Sequence, residues 1–209
     1  LDRDMVIVLT PREPLPSLVI QARDTVPQAA PVVVMAALQP PVTAPRQRIA
    51  LKLLVDCSGS MGGDSIASAR VALHGALAGL TEHDQVSVSR FGSTVEHVLA
   101  PSASTPQTLR RLKPAVDAID ATLGGTEMEA ALRAVFALPV PRDCAGADVL
   151  LVTDGEIWQA EEMTAAARAS GHRVFAIGVG SSPAEGVLRA LAEATGGACE
   201  FATPGEALE

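Results

Sequence analysis

The chain has 209 residues, of which 48% are apolar and 19% charged, so a packed core is expected and global disorder is not. Its 24 acidic residues outnumber its 16 Lys and Arg residues, and the formal net charge of −8 argues against nucleic acid and anionic membranes as partners. No apolar run reaches the roughly 18 residues of a membrane-spanning helix.

The first 48 residues differ in composition from the rest of the chain. They contain eight of the 15 prolines, and three short apolar runs between the prolines, at 5–9, 18–20 and 31–38, are typical of strands. We predict that residues 1–48 form a Pro-rich β extension, either the tail of an upstream β domain or a layer on the main domain. The chain begins without Met and reads as part of a longer protein.

From residue 49 onward, strand-like and helix-like patterns alternate. Strands are predicted at 49–55, 85–91, 95–99, 149–152, 174–179 and near Cys199, with helices around 66–80, 106–119, 128–138, 161–170 and 188–192. This alternation predicts an α/β fold, a Rossmann-like open and mostly parallel sheet with helices on both faces. We assign residues 49–202 to this domain and 203–209 to a truncated tail.

Oxygen-bearing side chains cluster where ligands bind such sheets, beyond the carboxyl ends of the strands. Asp56, Ser58 and Ser60 alternate directly after the first strand of the domain, Thr126 lies in a Gly-Gly-Thr-Glu loop, and Asp154 follows the strand at 149–152. Carboxylates and hydroxyls without His or Cys select a hard divalent cation. We expect Mg²⁺, with Mn²⁺ or Ca²⁺ as alternatives.

These residues resemble the metal-ion-dependent adhesion site of the von Willebrand factor type A domain, with Asp-x-Ser-x-Ser, a Gly-Gly-Thr loop and Thr-Asp-Gly in the family's order. The resemblance covers roughly residues 49–202. It implies that Ser58, Ser60 and Thr126 coordinate the metal directly or nearly so, while Asp56 and Asp154 act through bound water. It also implies a protein partner whose Asp or Glu completes the coordination, and therefore an interaction module rather than an enzyme.

A looser resemblance concerns the β-rich segment that leads directly into Thr-Asp-Gly-Glu-Ile-Trp and Gly-Gly-Thr-Glu. It is similar to bacterial relatives of inter-alpha-trypsin inhibitor heavy chains, which carry a β domain just upstream. The family usually ends with a helix after the last strand, and here that helix is short or absent.

Other functions have weaker support in the sequence. Nucleotide binding lacks GxxxxGK[ST] and a complete dinucleotide fingerprint, and a serine hydrolase lacks GxSxG. A metal-dependent hydrolase of phosphate esters lacks a Lys or Arg beside the motifs. A scaffold that keeps the motif without using metal stays open, and chelation distinguishes it, since its binding would survive EDTA.

The remaining candidate side chains favour structural roles. His74, His83, His97 and His172 have no metal-ligand spacing and are predicted as surface or capping residues. Glu127 and Glu156 are predicted to be solvated, the alternative being that they hold the metal more firmly and discourage an acidic ligand. Trp158 is predicted to pack at a helix start, the alternative being that it flanks the binding face. Three sparse cysteines are predicted to be buried and unpaired, which favours a reducing compartment without fixing one. The sequence leaves the oligomeric state open.

Overall fold

A computed structural model describes residues 18–23, 32–37, 47–144, 146–155, 160–180 and 184–202. The predicted strand at 5–9, the tail, Glu156 and Trp158 lie outside these residues. The chain divides into two compact units, residues 1–46 and 47–209, each described by itself below.

The described part of the first unit is a two-stranded antiparallel sheet. Strand β1 (Leu18–Arg23) pairs with β2 (Val32–Ala37), with Leu18 opposite Ala37. The strands predicted at 18–20 and 31–38 are therefore present. Every residue of both strands is exposed, including seven large apolar side chains: Leu18, Val19, Ile20, Val32, Val33, Val34 and Met35.

The second unit alternates strands with helices as predicted. Its strands are β3 (Ala50–Asp56), β4 (Gln85–Phe91), β5 (Val95–Ala103), β6 (Ala147–Thr153), β7 (Arg173–Val179) and β8 (Cys199–Ala202). Its helices are α1 (Asp64–Ala78), α2 (Pro106–Asp117), α3 (Met128–Phe136), α4 (Ala160–Ser170) and α5 (Glu185–Thr195), and a 3-10 turn (Gly59–Met61) precedes α1.

The six strands form one sheet in the order β5-β4-β3-β6-β7-β8. All neighbouring pairs are parallel except β4 and β5. The predicted fold class is confirmed. The strands predicted at 49–55 and 149–152 lie side by side, because β3 pairs with β6.

Alternate residues of the central strand β3 pack into two apolar clusters on opposite faces of the sheet. Leu53 and Val55 belong to a cluster that includes α1 and α2, whereas Leu54 belongs to one that includes α3, α4 and α5. This alternation is the two-residue period of a strand buried on both faces. It places the five helices on both sides of the sheet, as expected for this fold class.

The antiparallel strand β5 determines where the Gly-Gly-Thr loop lies. It runs back from the carboxyl end of the parallel strands, α2 returns the chain to that end, and α3 leaves it again. The loop 118–127 therefore connects two helices at the carboxyl-end edge of the sheet. We expected this loop at a strand end; it reaches the same edge by following a helix.

None of the helices in the described part of the chain is long and apolar enough to cross a membrane. The three cysteines are unpaired as predicted, but only Cys57 is buried, whereas Cys144 and Cys199 are partly exposed. His172 is buried rather than at the surface, because its ring packs against Phe136 and contacts Lys52. Glu127 is exposed, as predicted.

Candidate metal site

The first predicted ligands lie at the end of the central strand. Asp56 closes β3 and is 0% exposed, and its Oδ1 accepts a 2.9 Å hydrogen bond from the backbone N–H of Ser58. The hydroxyl oxygens of Ser58 and Ser60 lie 3.1 Å apart. Ser58 is buried, whereas Ser60 is exposed on the 3-10 turn. The alternation of these side chains therefore brings the two hydroxyls together beside a buried carboxylate.

Thr153 holds the second oxygen of Asp56. Its hydroxyl donates a 2.7 Å hydrogen bond to Asp56 Oδ2 and accepts one of 3.0 Å from the backbone N–H of Gly155. Thr153 is fully buried at the end of β6. We assigned it no role from the sequence, although it stands within the Thr-Asp-Gly motif. Each oxygen of Asp56 thus has one donor from the protein, which fixes the plane of the carboxylate.

Backbone hydrogen bonds attach the Thr126 loop to the loop of Ser58 and Ser60. The N–H of Gly59 donates to the carbonyl of Gly124 at 2.8 Å, and the N–H of Leu123 donates to the carbonyl of Cys57 at 2.9 Å. The Ser93 hydroxyl accepts from the N–H of Gly125 at 2.8 Å. Thr126 itself is partly exposed. The structure therefore brings its loop against the first loop, and Ser93 is a further support that the sequence did not reveal.

A Cβ on Gly92 would lie 2.5 Å from atoms of Leu123, which shows how closely the β4–β5 turn approaches the Thr126 loop. The N–H of Glu127 also donates to the carbonyl of Gly92 at 2.9 Å. This approach requires a residue without a side chain at position 92. The glycine thereby allows three loops to meet at one edge of the sheet.

Asp154 follows Thr153 and is partly exposed, yet its Oδ1 atom is buried and has no hydrogen-bond partner among the described residues. Nearby, Gly180 has a φ of 95°, and a Cβ there would lie 2.9 Å from the Ser65 hydroxyl and 3.8 Å from Asp154 Cβ. A buried carboxylate oxygen without a donor is costly unless a cation or water satisfies it.

The two carboxylates influence each other. Burial raises the pKa of Asp56, and the negative charge of Asp154 raises it further, whereas hydrogen bonds from Thr153 and Ser58 partly oppose both effects. A cation beside Asp56 would favour the ionised carboxylate and compensate for both unfavourable effects. The electrostatics of this pair therefore suit a positive ligand.

The loops around these residues are acidic. Loops 56–64, 92–94, 118–127 and 154–155 contain no Lys, Arg or His and five acidic residues: Asp56, Asp64, Asp120, Glu127 and Asp154. Such a surface attracts cations. Arg70 of α1 reaches loop 118–127, but its guanidinium donates to the carbonyl of Ile119 at 2.6 and 2.9 Å and lies 3.7 Å from Asp120. Among the described residues, no three His, Cys, Asp or Glu side chains form a metal-binding group, so a cation here would depend on hydroxyls as well as on the two carboxylates.

The family model of the von Willebrand factor type A domain matches residues 49–201. The chain belongs to this family. The match includes β3 to β7, all of β8 except Ala202, and every candidate ligand. The predicted resemblance is confirmed at the level of the von Willebrand factor type A domain.

Curated relatives of this von Willebrand factor type A chain come from several eukaryotes. A von Willebrand factor A domain-containing protein of Dictyostelium discoideum is 33% identical over 155 residues, which cover 71% of this chain and 16% of that protein. The human von Willebrand factor A domain-containing protein 5A is 31% identical over 117 residues, 54% of this chain and 15% of that protein. The chain thus spans about a sixth of the length of the curated relatives it matches.

Solved structures of von Willebrand factor type A proteins share the fold. One from Catenulispora acidiphila superposes with a TM-score of 0.66 at 22% identity, covering 82% of this chain and 40% of that one. Proximal thread matrix protein 1 of the mussel byssus, solved with a zinc-occupied metal-ion-dependent adhesion motif, gives 0.60 at 17% identity, covering 74% of this chain and 41% of that one. At these identities the likeness concerns the fold alone.

Proposed function

We propose that this domain is a divalent-cation-dependent protein-binding module, in which a cation held by Asp56, Ser58, Ser60, Thr126 and Asp154 binds an acidic residue of a partner. Mg²⁺ is the proposed physiological ion, with Mn²⁺ and Ca²⁺ as alternatives. The mussel protein, which shares the fold, was solved with zinc in its own metal-ion-dependent adhesion motif. Bound at the proposed site, the cation would supply a positive charge with a coordination position open to a partner's carboxylate.

The observation that carries this proposal is the buried Oδ1 of Asp154, which has no donor among the described residues and belongs to a carboxylate that raises the pKa of its neighbour Asp56. Two mutually repelling acids, one of them fully buried, destabilise a metal-free fold. A cation that binds the folded state relieves this cost, and the acidic loops draw it to the site.

The proposed ligands have different tasks. Ser58 and Ser60 present neutral hydroxyls 3.1 Å apart, which leave the charge of a cation largely uncompensated and so keep it attractive to an anion. Asp56, held by Ser58 and Thr153, and Asp154 provide the negative charge that keeps the cation in place. Thr126 contributes a further neutral oxygen from a loop that hydrogen-bonds to the first one.

Binding is favoured over catalysis by the charges around the site. A hydrolase that acts on phosphate esters needs a cation to stabilise the transferring group. The described loops around the site contain no Lys, Arg or His, and Arg70, which contacts loop 118–127 from α1, is engaged by the Ile119 carbonyl and Asp120. We therefore propose that the domain is not an enzyme. The metal-independent scaffold remains the alternative function, and the chelation experiment below distinguishes it.

The experiment is calorimetric titration of the domain with Mg²⁺ and Mn²⁺, for the wild type and for the Asp56→Ala and Thr126→Ala variants. Asp56→Ala should abolish or strongly weaken binding of the cation, since it removes a negative charge. Thr126→Ala should weaken it less, because the other ligands remain. Thr94→Ala, which changes an exposed Thr in the neighbouring β4–β5 turn, should bind as the wild type does.

Wild-type protein that binds neither Mg²⁺ nor Mn²⁺ at millimolar concentration would leave the scaffold as the function. Turnover of a phosphate ester that depends on Asp56 would instead show that the metal serves chemistry. Once a partner is identified, EDTA and replacement of the partner's critical Asp or Glu by its amide should both abolish binding, since the contact requires a full negative charge.

The wider organisation is also a proposal. We propose residues 1–48 as a β extension, 49–202 as the von Willebrand factor type A domain and 203–209 as its tail. A relationship to bacterial forms of inter-alpha-trypsin inhibitor heavy chains remains a prediction, as does bacterial origin.

A further inference from the structure

Lys52 is a buried cation within the central strand. It is 2% exposed, and its Nζ donates hydrogen bonds to the carbonyls of Val135 at 2.9 Å and Leu138 at 2.7 Å, with the carbonyl of Phe136 at 3.5 Å. These carbonyls lie at the C-terminal end of α3, where the last carbonyls of a helix lack partners and the helix dipole is negative. Lys52 therefore caps α3 from the sheet.

His172 completes the surroundings of this ammonium group. Its Nε2 lies 2.8 Å from Lys52 Nζ, and its Nδ1 lies 3.1 Å from the carbonyl oxygen of Ser170. An ammonium has no lone pair, so Nε2 accepts from Lys52 and Nδ1 carries the proton that is donated to Ser170. The arrangement requires a neutral imidazole.

The charges around this pair support that protonation state. Burial and the adjacent Lys52 lower the pKa of His172, while the Ser170 carbonyl and Asp148 oppose the shift. Asp148 is engaged by the Arg173 guanidinium through two 2.8 Å hydrogen bonds. Burial also lowers the pKa of Lys52 to about 8, so its ammonium form still predominates at neutral pH.

Helix α3 packs on the face of β3 that carries Lys52. The strand and the helix run in opposite directions, and the side chains of Lys52, Leu54 and Asp56 share one face of the strand by alternation. Leu54 packs in the same apolar cluster as Met128 and Leu132 of α3. The Lys52 contacts thus hold the C-terminal end of the helix, while its N-terminal end directly follows Thr126.

We propose that Lys52 is a positioning residue of the metal site: by holding the C-terminal end of α3 against β3, it determines where the opposite end of the helix presents Thr126. This inference rests on the proposed function. A helix of nine residues is about 13.5 Å long. We expect it to move as one body, so that releasing its C-terminal end shifts its N-terminal end. The cation and Lys52 then hold the same helix to the same strand from its two ends.

The experiment compares Lys52→Met with Leu191→Ala. Met keeps the length of the side chain but cannot donate to the three carbonyls. Leu191, fully buried on α5 in the same apolar cluster, provides a destabilised control that leaves the Lys52 contacts intact. Mn²⁺ affinity is measured by calorimetry below both melting temperatures. We expect about 10-fold weaker binding in Lys52→Met, as for other residues that orient metal ligands, and unchanged binding in Leu191→Ala.

Hydrogen exchange of the metal-free proteins provides a second measurement. In Lys52→Met, exchange should accelerate along α3, from its C-terminal end back to residues 124–128. In Leu191→Ala, exchange of these residues should not accelerate. If wild-type and Lys52→Met proteins bind Mn²⁺ equally well, or if Leu191→Ala loses as much affinity, the positioning role is wrong and the proposed function stands. If the wild type binds no cation, the proposed function fails and the positioning role fails with it.

The pH profile separates positioning from general packing. The folded protein favours neutral His172. The stability that His172 contributes is therefore fully present above its pKa in the unfolded chain, near 6.5, and is lost as the pH falls through its lower pKa in the folded protein. His172→Gln keeps an acceptor for Lys52 that does not titrate. Wild-type Mn²⁺ affinity should therefore fall more steeply below pH 6.5 than that of His172→Gln; parallel profiles would overturn the role of this pair.

Discussion

The hydroxyl of Thr153, at the end of β6, donates a 2.7 Å hydrogen bond to Oδ2 of Asp56, at the end of the neighbouring strand β3. The same hydroxyl accepts from the N–H of Gly155, in the loop that carries Asp154. One buried hydroxyl thus connects the Asp56 carboxylate to the backbone of the loop that carries Asp154.

Replacing Thr153 by Val should remove both hydrogen bonds at constant shape. The buried N–H of Gly155 and the oxygen of Asp56 lose their partners, so unfolding free energy should fall by about 1–3 kcal/mol. Mg²⁺ affinity should fall as well, because Asp56 is no longer held in its plane. Thr153→Ser keeps the hydroxyl and should retain most of the stability and most of the Mg²⁺ affinity. Chemical denaturation and calorimetry measure the two effects, and equal metal affinity in Val and Ser variants would contradict the orienting role.

Asp56→Asn should stabilise the metal-free protein. The amide removes a fully buried charge and its repulsion with Asp154, so the free energy of unfolding measured in EDTA should rise. The wild type should gain about 2.7 kcal/mol at a cation concentration 100-fold above its dissociation constant, whereas Asp56→Asn should gain little. Glu82→Gln, at the opposite end of the sheet, is the charge-matched control. A cation-induced rise in melting temperature that persists in Asp56→Asn would remove Asp56 from the site.

Gly180→Ala should damage the surroundings of Asp154. The backbone at Gly180 has a positive φ, and the new Cβ would lie 2.9 Å from the Ser65 hydroxyl, so a loss of about 1–2 kcal/mol is expected. Metal affinity should fall too, since Asp154 lies beside this glycine. Gly75→Ala is the control, because a Cβ there meets nothing within 4 Å and Ala favours the helix. A Gly180→Ala protein as stable as the wild type would show that position 180 has room for a Cβ beside the Ser65 hydroxyl.

Cys57 should report opening of the site. Its thiol is fully buried, and burial raises its pKa to about 12, so a thiol reagent at pH 8 should label it only through unfolding. A cation at 100-fold its dissociation constant should slow this labelling about 100-fold, since opening then requires its release. Cys199, partly exposed and far from the proposed ligands in sequence, is the internal reference. If Mg²⁺ does not change the rate at which Cys57 is labelled, cation binding does not involve the loop that contains Cys57.

Hydrophobic periodicity was sufficient to predict most of the fold. The strand at 85–91 agrees residue for residue with β4, and the two-residue alternation of apolar and polar side chains explains why. Strand β5 extends to Ala103, beyond the predicted 95–99. It continues through Pro101 because β5 is at the edge of the sheet, where the missing N–H of a proline is tolerated. Its direction could not be read from composition, and therefore neither could the course of the loop 118–127.

The site was less predictable than the fold. The motif residues indicated the oxygen groups, but the support from Thr153 depends on the register between two strands that are distant in sequence. Lys52 was equally hidden, because a Lys is ordinarily solvated and its acceptors come from a helix end more than 80 residues away. Such partners follow from packing in three dimensions rather than from local pattern.

The position of β3 in the sheet has a consequence for cooperativity. It is bordered by β4 on one side and β6 on the other, and it is covered by helices on both faces, so it has no free edge from which to fray. Separating Asp56 from Thr153 requires breaking the pairing at the centre of the sheet. Native-state exchange should therefore assign Asp56 and Thr153 to the last unit of this domain to unfold, whereas the loops that carry Ser60 and Thr126 can open earlier.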